Sequence, residues 1–319
     1  METSTSADGI LPEVTRPFSG TKSVGRPAAG VVYIDGHWYA PDEAKLSVFD
    51  HGLLYGDGVF EGIRFCSGRV FKLDAHVERM FRSARAIGLE PPLTESEFHD
   101  LVLEACARSR LTDGYLRPLF TRGVGDLGLD PKRAAHPSVI IICSTMRSFG
   151  PRERTGIRAV ISGRRKIPPA SFSATIKSLN YLTSVLAKGE ANDRGADEAI
   201  LLDAQGYVAE ASGENLFAVK DGRTVTPPTT SALQGITRET VIELLRSTSP
   251  CVVRRFRPEF LRGADEIFLT GTGAGVLPVI RVDAWEIGNG TPGPVTREVQ
   301  RQYRELLLST GTPFPVGSV

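Results

Sequence analysis

Between Glu198 and Thr226 the chain sets four short strand-like runs in close succession: Glu198–Leu202, Tyr207–Glu210, Leu216–Lys220 and Thr224–Thr226. Gln205-Gly206 and Asp221-Gly222 supply turn signals between them. Two more runs, Ile157–Ser162 and Glu266–Thr270, read as strands of the same half. The helices expected here are few: about Ser178–Asp193, one beginning near Thr237, and about Val295–Leu308. Many short strands with few helices predict a barrel-like β domain with helices around it.

The first half has a different texture. Val31–Ile34 and His37–Tyr39 flank Asp35-Gly36 and predict a tight hairpin. A second hairpin signal is Gly62–Phe65, Ser67-Gly68 and Val70–Leu73. Asp74 reads as the N-cap of a helix that carries Val77, Met80, Phe81 and Ala84 and closes at Gly88. Thr94 with Glu97 forms a capping box for a second helix. Tyr115–Phe120 and Ser138–Cys143 predict strands, the latter buried. Hairpins, antiparallel neighbours and two helices make an α+β unit.

The 319 residues suggest two domains. Residues 1–29, rich in Ser, Thr, Gly and Pro, read as a disordered tail. The boundaries expected after it are a first domain at 30–147, an interdomain loop at 148–157 and a larger domain at 158–319. A net charge of +1 argues against a nucleic-acid partner. No apolar run approaches the ~20 residues that span a bilayer. Cys66, Cys106, Cys143 and Cys251 are far apart with no metal-ligand spacing, so reduced thiols in a cytoplasmic protein with no metal are expected. The N-terminus has no basic segment leading into an apolar stretch, so no secretory signal is expected.

Five stretches and one further arginine carry candidate chemistry. Lys177 stands between Ile176 and a helix start; in a partly desolvated pocket its free amine can form a Schiff base with an aldehyde. Glu210 to Phe217 sets two carboxylates and an amide around Gly213 just after a strand, where a carboxylate can keep a pyridine nitrogen protonated. Gly235-Ile236-Thr237 before a helix, and Thr270-Gly271-Thr272-Gly273-Ala274-Gly275 after a strand, offer backbone amides to an anion. In the first half, Tyr55 to Arg64 mixes glycines with aromatics, acids and an arginine, and Arg79 lies two positions from Val77, off the apolar stripe, as a surface arginine or an anion clamp. Each stretch alone is equally compatible with an ordinary turn, cap or surface residue.

Their order and spacing resemble the class IV aminotransferases, pyridoxal-phosphate enzymes of fold type IV that include branched-chain amino-acid and D-amino-acid aminotransferases and aminodeoxychorismate lyases. The resemblance runs from about Val31 to Arg281 through Tyr55-Gly56 with Val59–Arg64, His76–Arg79, Tyr115–Pro118, Lys177–Tyr181, Glu210–Phe217, Leu233–Arg238 and Thr270–Thr272. It implies a smaller α/β N-terminal domain and a larger pseudo-barrel C-terminal domain with pyridoxal 5'-phosphate between them. Lys177 would be the Schiff-base lysine and proton carrier, Glu210 the partner of the ring nitrogen, and Tyr181 the partner of the phenolic oxygen. Arg79, Ile236, Thr237 and Thr272 would hold the phosphate, with Gly213 and Gly271 beside the cofactor. Tyr55, Phe60, Gly62, Arg64, Tyr115, Arg117 and Gly273 would meet the substrate. The resemblance further implies a homodimer or higher homo-oligomer.

Val59–Arg64 with Tyr115 and Arg117 is most similar to the subgroup acting on branched-chain L-amino acids, with 2-oxoglutarate as acceptor. The short Lys177-Ser178-Leu179-Asn180 is similar to the D-amino-acid and lyase relatives instead. Met146–Gly150 stands where Gly-Ala-Tyr-Leu-Gly is common. A D-amino-acid or amine aminotransferase, or a lyase, of the same fold therefore stays open. A non-catalytic binding protein is the reading from another class, and retention of Lys177, Glu210 and Arg79 together speaks against it.

Overall fold

The computed structural model describes residues 30–134, 136–146, 149–246 and 248–316. The tail expected at 1–29, together with Arg147 and Ser148, lies outside them. Strands and hairpins form two sheets. The first is antiparallel throughout, in the order Thr312–Pro313, Arg69–Val70, Ile63–Cys66, Gly114–Thr121, Ser138–Ser144, Gly30–Ile34 and His37–Tyr39. Gly58–Phe60 pairs with Gly114–Thr121 off that path. The predicted hairpins are present, with Asp35 and Gly36 at positive φ in the first turn and Ser67 and Gly68 in the second.

The second sheet runs Val208–Ala211, Glu198–Leu202, Ile157–Arg165, Gly275–Val282, Glu266–Gly271, Asn215–Lys220, Arg223–Thr226 and Cys251–Val253. Ile157–Arg165 and Glu198–Leu202 pair in parallel, and the helix Leu182–Asp193 makes the crossover that parallel neighbours require. The curled sheet encloses a core that includes Ile157, Leu216, Ile267 and Leu277. Its other side receives the helices Ile236–Leu245 and Pro294–Ser309 over the stacked rings of Phe217 and Phe268, 5.0 Å apart. That layer also takes in Cys66 and Phe71 of the first half, Phe71 meeting Tyr303 edge-on at 5.7 Å. The final strand, Thr312–Pro313, returns to the first sheet beside Arg69–Val70.

Three elements depart from expectation, each for a physical reason. The first long helix runs Leu73–Ala86 with Lys72, not Asp74, at its N-cap, because Leu73 is drawn into the core; Asp74 falls in the first turn, where its charge suits the helix dipole. The helix expected from Ser178 begins at Leu182, because residues 177–179 are taken up by pairing with Gly58–Phe60. The loop expected at 148–157 contains a one-turn helix, Arg152–Thr155. The capping box at Thr94 and Glu97 is formed as expected and starts the helix Glu95–Ser109.

The two long helices of the first half lie on its sheet through an aromatic trio. Phe98 meets Phe120 at 5.0 Å and Phe81 at 5.8 Å, all edge-on, and Phe98 is wholly buried. Truncating it removes both ring contacts and leaves a cavity. Phe98→Ala should lower unfolding free energy by about 3–5 kcal/mol in urea titration.

Candidate active site

A cleft of about 1340 Å³ opens between the two sheets. Phe60, Gly62, Tyr115 and Arg117 line it from the first half; Gly213–Asn215, Gly235–Thr237 and Thr270–Ala274 line it from the second. Lys177 and Tyr181 lie on the segment that crosses between them. That segment is fixed by backbone pairing: the Phe60 amide donates to the Lys177 carbonyl at 2.9 Å and the Leu179 amide to the Gly58 carbonyl at 3.0 Å. The Lys177 amide donates to Ser83 Oγ at 3.3 Å.

Lys177 Nζ lies 4.6 Å from the centroid of the Phe60 ring and donates to Tyr181 Oη at 3.2 Å. Burial, and then the Arg79 cation, bring its amine down to about 8. Burial, reinforced by Glu210, pushes the Tyr181 hydroxyl up to about 12, so at neutral pH it keeps its proton. The pair is a largely desolvated amine, uncharged in a useful fraction, beside a phenol that stays protonated.

Arg79 is not a surface residue: it is 3% exposed and lines the cleft. Its Nε and Nη2 donate to the two oxygens of Glu61 at 2.6 and 2.8 Å, and Nη1 donates to the Gln234 carbonyl at 2.8 Å. His76 Nδ1 meets the same carboxylate at 2.8 Å. Burial acts to raise Glu61, but the Arg79 charge and the hydrogen bonds from Arg79 and His76 outweigh it and hold the carboxyl far below its usual range. Burial lowers His76, keeping its imidazole neutral.

The floor beyond Arg79 fits a phosphate. The helix Ile236–Leu245 starts there with Gly235 at its N-cap and no side-chain cap, so its first amides are free for an anion. A Cβ on Gly235 would sit 2.0 Å from Asn215 Oδ1, so only glycine fits. Thr270 Oγ1, buried on the cleft wall, has no partner among the described residues. Gly271, Thr272 and Gly273 continue that wall. A buried cation, open helix amides, a free hydroxyl and a glycine-rich bend together match the phosphate of pyridoxal phosphate, and Lys177 matches its aldehyde.

Glu210 is placed behind Asn215 and Leu233, lining a smaller cavity of about 50 Å³ that shares Tyr181 and Leu233 with the cleft. Its Oε2 accepts from the Leu233 amide at 2.9 Å and Asn215 Nδ2 at 3.2 Å, and its Oε1 lies 2.6 Å from Lys166 Nζ. On the opposite wall Arg117 Nη2 donates to Tyr115 Oη at 2.9 Å, and its guanidinium stands 4.6 Å from the centroid of the Phe60 ring. Arg117 Nε is buried without a partner among the described residues, on a side chain that lines the cleft. Gly62 lets the Tyr115 hydroxyl approach, since a Cβ there would sit 1.8 Å from it.

Two expected substrate residues fall elsewhere. Tyr55 ends the short helix His51–Tyr55, stacks edge-on against His51 at 5.0 Å and is partly exposed, outside the cleft lining. Arg64 alternates with the buried Ile63 and Phe65 and reaches toward Gly275, outside the lining as well. Glu61, Lys166 and Asn215 had no expected role from the sequence. For Glu61 a signal existed: an acid flanked by Phe60 and Gly62, with His76 and Arg79 three apart on one helix face.

The Glu61 network gives a pH signature. His76, lowered in the fold, binds fewer protons than its unfolded counterpart, so folding loses stability as pH falls below the ordinary 6.5. Glu61, also lowered, contributes stability present above its ordinary 4.5 and lost progressively below it. Glu61→Gln should flatten the lower part of the stability–pH curve. It should also cost about 3–5 kcal/mol at neutral pH by leaving Arg79 buried without its counter-charge. Urea unfolding at pH 7.5, 5.5 and 4 reads both; an unchanged pH dependence would remove Glu61 as the titrating group.

The family model described as amino-transferase class IV matches residues 58–282. The branched-chain-amino-acid aminotransferase of Pseudomonas aeruginosa is 37% identical over 292 residues, covering 87% of this chain and 93% of its own. The crystal structure of the Escherichia coli branched-chain amino acid aminotransferase superposes with a TM-score of 0.86 at 33% identity, over 91% of this chain and 100% of that one. The branched-chain aminotransferase of the archaeon Thermoproteus uzoniensis, crystallised with norvaline, superposes with a TM-score of 0.82 at 36% identity, over 88% of this chain and 95% of that one. The two-sheet fold agrees with these matches. The chain belongs to the class IV aminotransferases, and is a pyridoxal-phosphate-dependent transaminase of fold type IV.

Proposed function

We propose that this enzyme moves the amino group of a branched-chain or related hydrophobic L-amino acid to 2-oxoglutarate, with Lys177 as its catalytic residue. The observation that carries the reading is the placement of Lys177 Nζ between Tyr181 Oη and the Phe60 ring, with Arg117 and Tyr115 on the same side of the cleft. Pyridoxal phosphate, when bound, supplies the electron sink for charge developing at the amino acid's Cα. Arg79, the amides of Ile236 and Thr237, and Thr272 would hold the phosphate, while Gly213 and Gly271 would leave room beside the ring. Glu210 would face the ring nitrogen and Tyr181 the phenolic oxygen. Lys177, its amine brought down to about 8 chiefly by burial, would hold the cofactor at its aldehyde end and carry the Cα proton of the donor.

The L-preference follows from the walls. Arg117, its Nε without a partner among the described residues, with Tyr115 and the backbone after Thr272, receives the substrate carboxylate, and Gly273 keeps that approach open. With Cα–H aimed at Lys177, the side chain of an L-amino acid then falls toward Phe60, where a branched aliphatic group gains about 1.5–3 kcal/mol on burial. A D-amino acid would set its carboxylate against that apolar wall, an unpaired charge costly to bury.

A homodimer is part of the same proposal. Val48, Phe49, Leu53, Leu127 and Leu129 are exposed on two neighbouring segments, tied by the Gly125 amide to the Phe49 carbonyl at 3.2 Å and by an Asp50–Val124 bridge. Leu182, Val185 and Leu186 extend the face from the helix beside Gly56. A contiguous apolar patch of this kind marks an interface. A cytoplasmic setting suits the four free thiols. Among the described residues no helix is long and apolar enough to cross a membrane.

Lys177→Ala should abolish transamination, and borohydride should fix the cofactor onto Lys177 in the wild type. In a donor panel L-leucine, L-isoleucine or L-valine should react well and their D-enantiomers poorly. Faster turnover of D-alanine than of any L-donor would overturn the substrate assignment and leave the role of Lys177 intact. Leu127→Asp with Leu129→Asp should halve the mass measured by light scattering at micromolar concentration; a mass already that of one chain in the wild type would refute the dimer.

A further inference from the structure

The carboxylate of Glu210 is held by three donors from three different segments. Oε2 accepts two of them, the Leu233 amide and Asn215 Nδ2. Among the described residues Oε1 has only Lys166 Nζ, at 2.6 Å. An ionised carboxylate has about four acceptor sites, two on each oxygen. The one left over is therefore on Oε1, the atom that Lys166 grips. Lys166 itself does not line the cleft: it follows the strand Ile157–Arg165, donates its amide to the Leu202 carbonyl at 2.9 Å, and lines the small cavity on the far side of Glu210 with Phe172, Ser173 and Ile176.

We propose that Lys166 is a positioning residue for the cofactor: from behind the cleft wall it aims Oε1 of Glu210 at the ring nitrogen and sets how strongly that carboxylate holds the ring's proton. This rests on the assignment of Glu210 to the ring nitrogen. The argument is one of geometry and charge. Asn215 and Leu233 fix Oε2, so rotation of the carboxyl about its own axis is limited by the third contact alone. The same contact places a cation beside the carboxylate, and a paired carboxylate attracts a second proton carrier less than a free one. Burial opposes the charge on Lys166, yet Glu210 holds its ammonium above its ordinary value. The other titratable groups facing Glu210 are Tyr181, whose hydroxyl feels both members of the pair, and Glu214, pushed up to about 7 by burial and then by Glu198. Neither is a cation that replaces Lys166.

The test compares Lys166→Met, Lys166→Arg, Glu210→Gln and the Lys166→Met/Glu210→Gln double variant as full-length holoenzymes, checked for native melting. The pH midpoint of the bound-cofactor absorbance change is recorded for each, together with pyridoxal phosphate affinity by equilibrium dialysis. Removing the cation strengthens the carboxylate's hold on protons nearby. Lys166→Met should thus move the midpoint upward by about one pH unit and weaken cofactor binding several-fold, and Lys166→Arg should restore both. In the double variant the Met substitution should add nothing to the effect of Glu210→Gln. An unchanged midpoint in Lys166→Met with a shifted one in Glu210→Gln would overturn the role of Lys166 and keep that of Glu210. An additive shift in the double variant would show that Lys166 does not act through Glu210. No shift in Glu210→Gln would overturn both the ring-nitrogen assignment and the proposal. A loss of native melting confined to Lys166→Met, with Lys166→Arg keeping the wild-type midpoint, would show that a cation is required at this position; a shifted midpoint in a folded Lys166→Arg would count against it.

Discussion

Residues 177–179 form an extra rung beside the strand Gly58–Phe60, and the geometry of the cleft follows from it. Two backbone hydrogen bonds, from Phe60 to the Lys177 carbonyl and from Leu179 to the Gly58 carbonyl, tie the start of the second half to the first. Their net contribution to stability is small, about 1 kcal/mol each. Their effect is alignment. With both neighbours of its peptide fixed, Lys177 has one direction in which to extend, and that direction ends between Tyr181 and Phe60. Asn180 adds a third tie through its amide to the Gly56 carbonyl at 3.0 Å, and the helix begins only after it. The late helix start and the position of the lysine are one fact.

How much of this was legible depended on whether a feature was local. Hairpin turns, the Thr94–Glu97 box and the strands Glu198–Leu202 and Ser138–Ser144 follow from turn chemistry, capping and apolar runs, all contained in a few consecutive residues. The strand Gly275–Val282 has no such marker, and Pro278 within it argues against a central strand, yet it joins Ile157–Arg165 to Glu266–Gly271. The return of Thr312–Pro313 to the first sheet is likewise a tertiary choice that two residues cannot announce. In the site, Lys177, Arg79, Thr237 and Thr272 were readable because the motifs around them have fixed order. Tyr55 and Arg64 belong to an equally recognisable motif, but the alternation of strand faces and the end of a short helix carry them away from the cleft of a single chain. Partners were the least visible. Glu61 and Arg79 stand 18 positions apart with only the spacing of His76 and Arg79 to hint at a shared partner, and nothing in the sequence joins Lys166 to Glu210, 44 positions apart, until the fold brings them together.

The cleft concentrates cations: Arg79, Arg117 and Lys177 all line it. That crowding suits ligands bearing a phosphate and carboxylates, but it would be unstable without counter-charge. The counter-charges lie one layer back. Glu61 binds Arg79 from the buried side, so the guanidinium keeps its place and offers its remaining edge. Among the described residues Arg117 has no carboxylate partner; it is held by the Tyr115 hydroxyl and the faces of two aromatic rings, and its buried Nε has no partner there. An arginine steadied by neutral groups keeps its full charge for an incoming carboxylate, whereas one already paired would have to exchange partners. Lys177 benefits from the arrangement in the opposite sense. Burial and the nearby Arg79 charge favour its neutral form, and Glu61 only partly offsets them. The same cations thus weaken the amine's hold on its proton, and Glu61, one layer back, offsets that only in part.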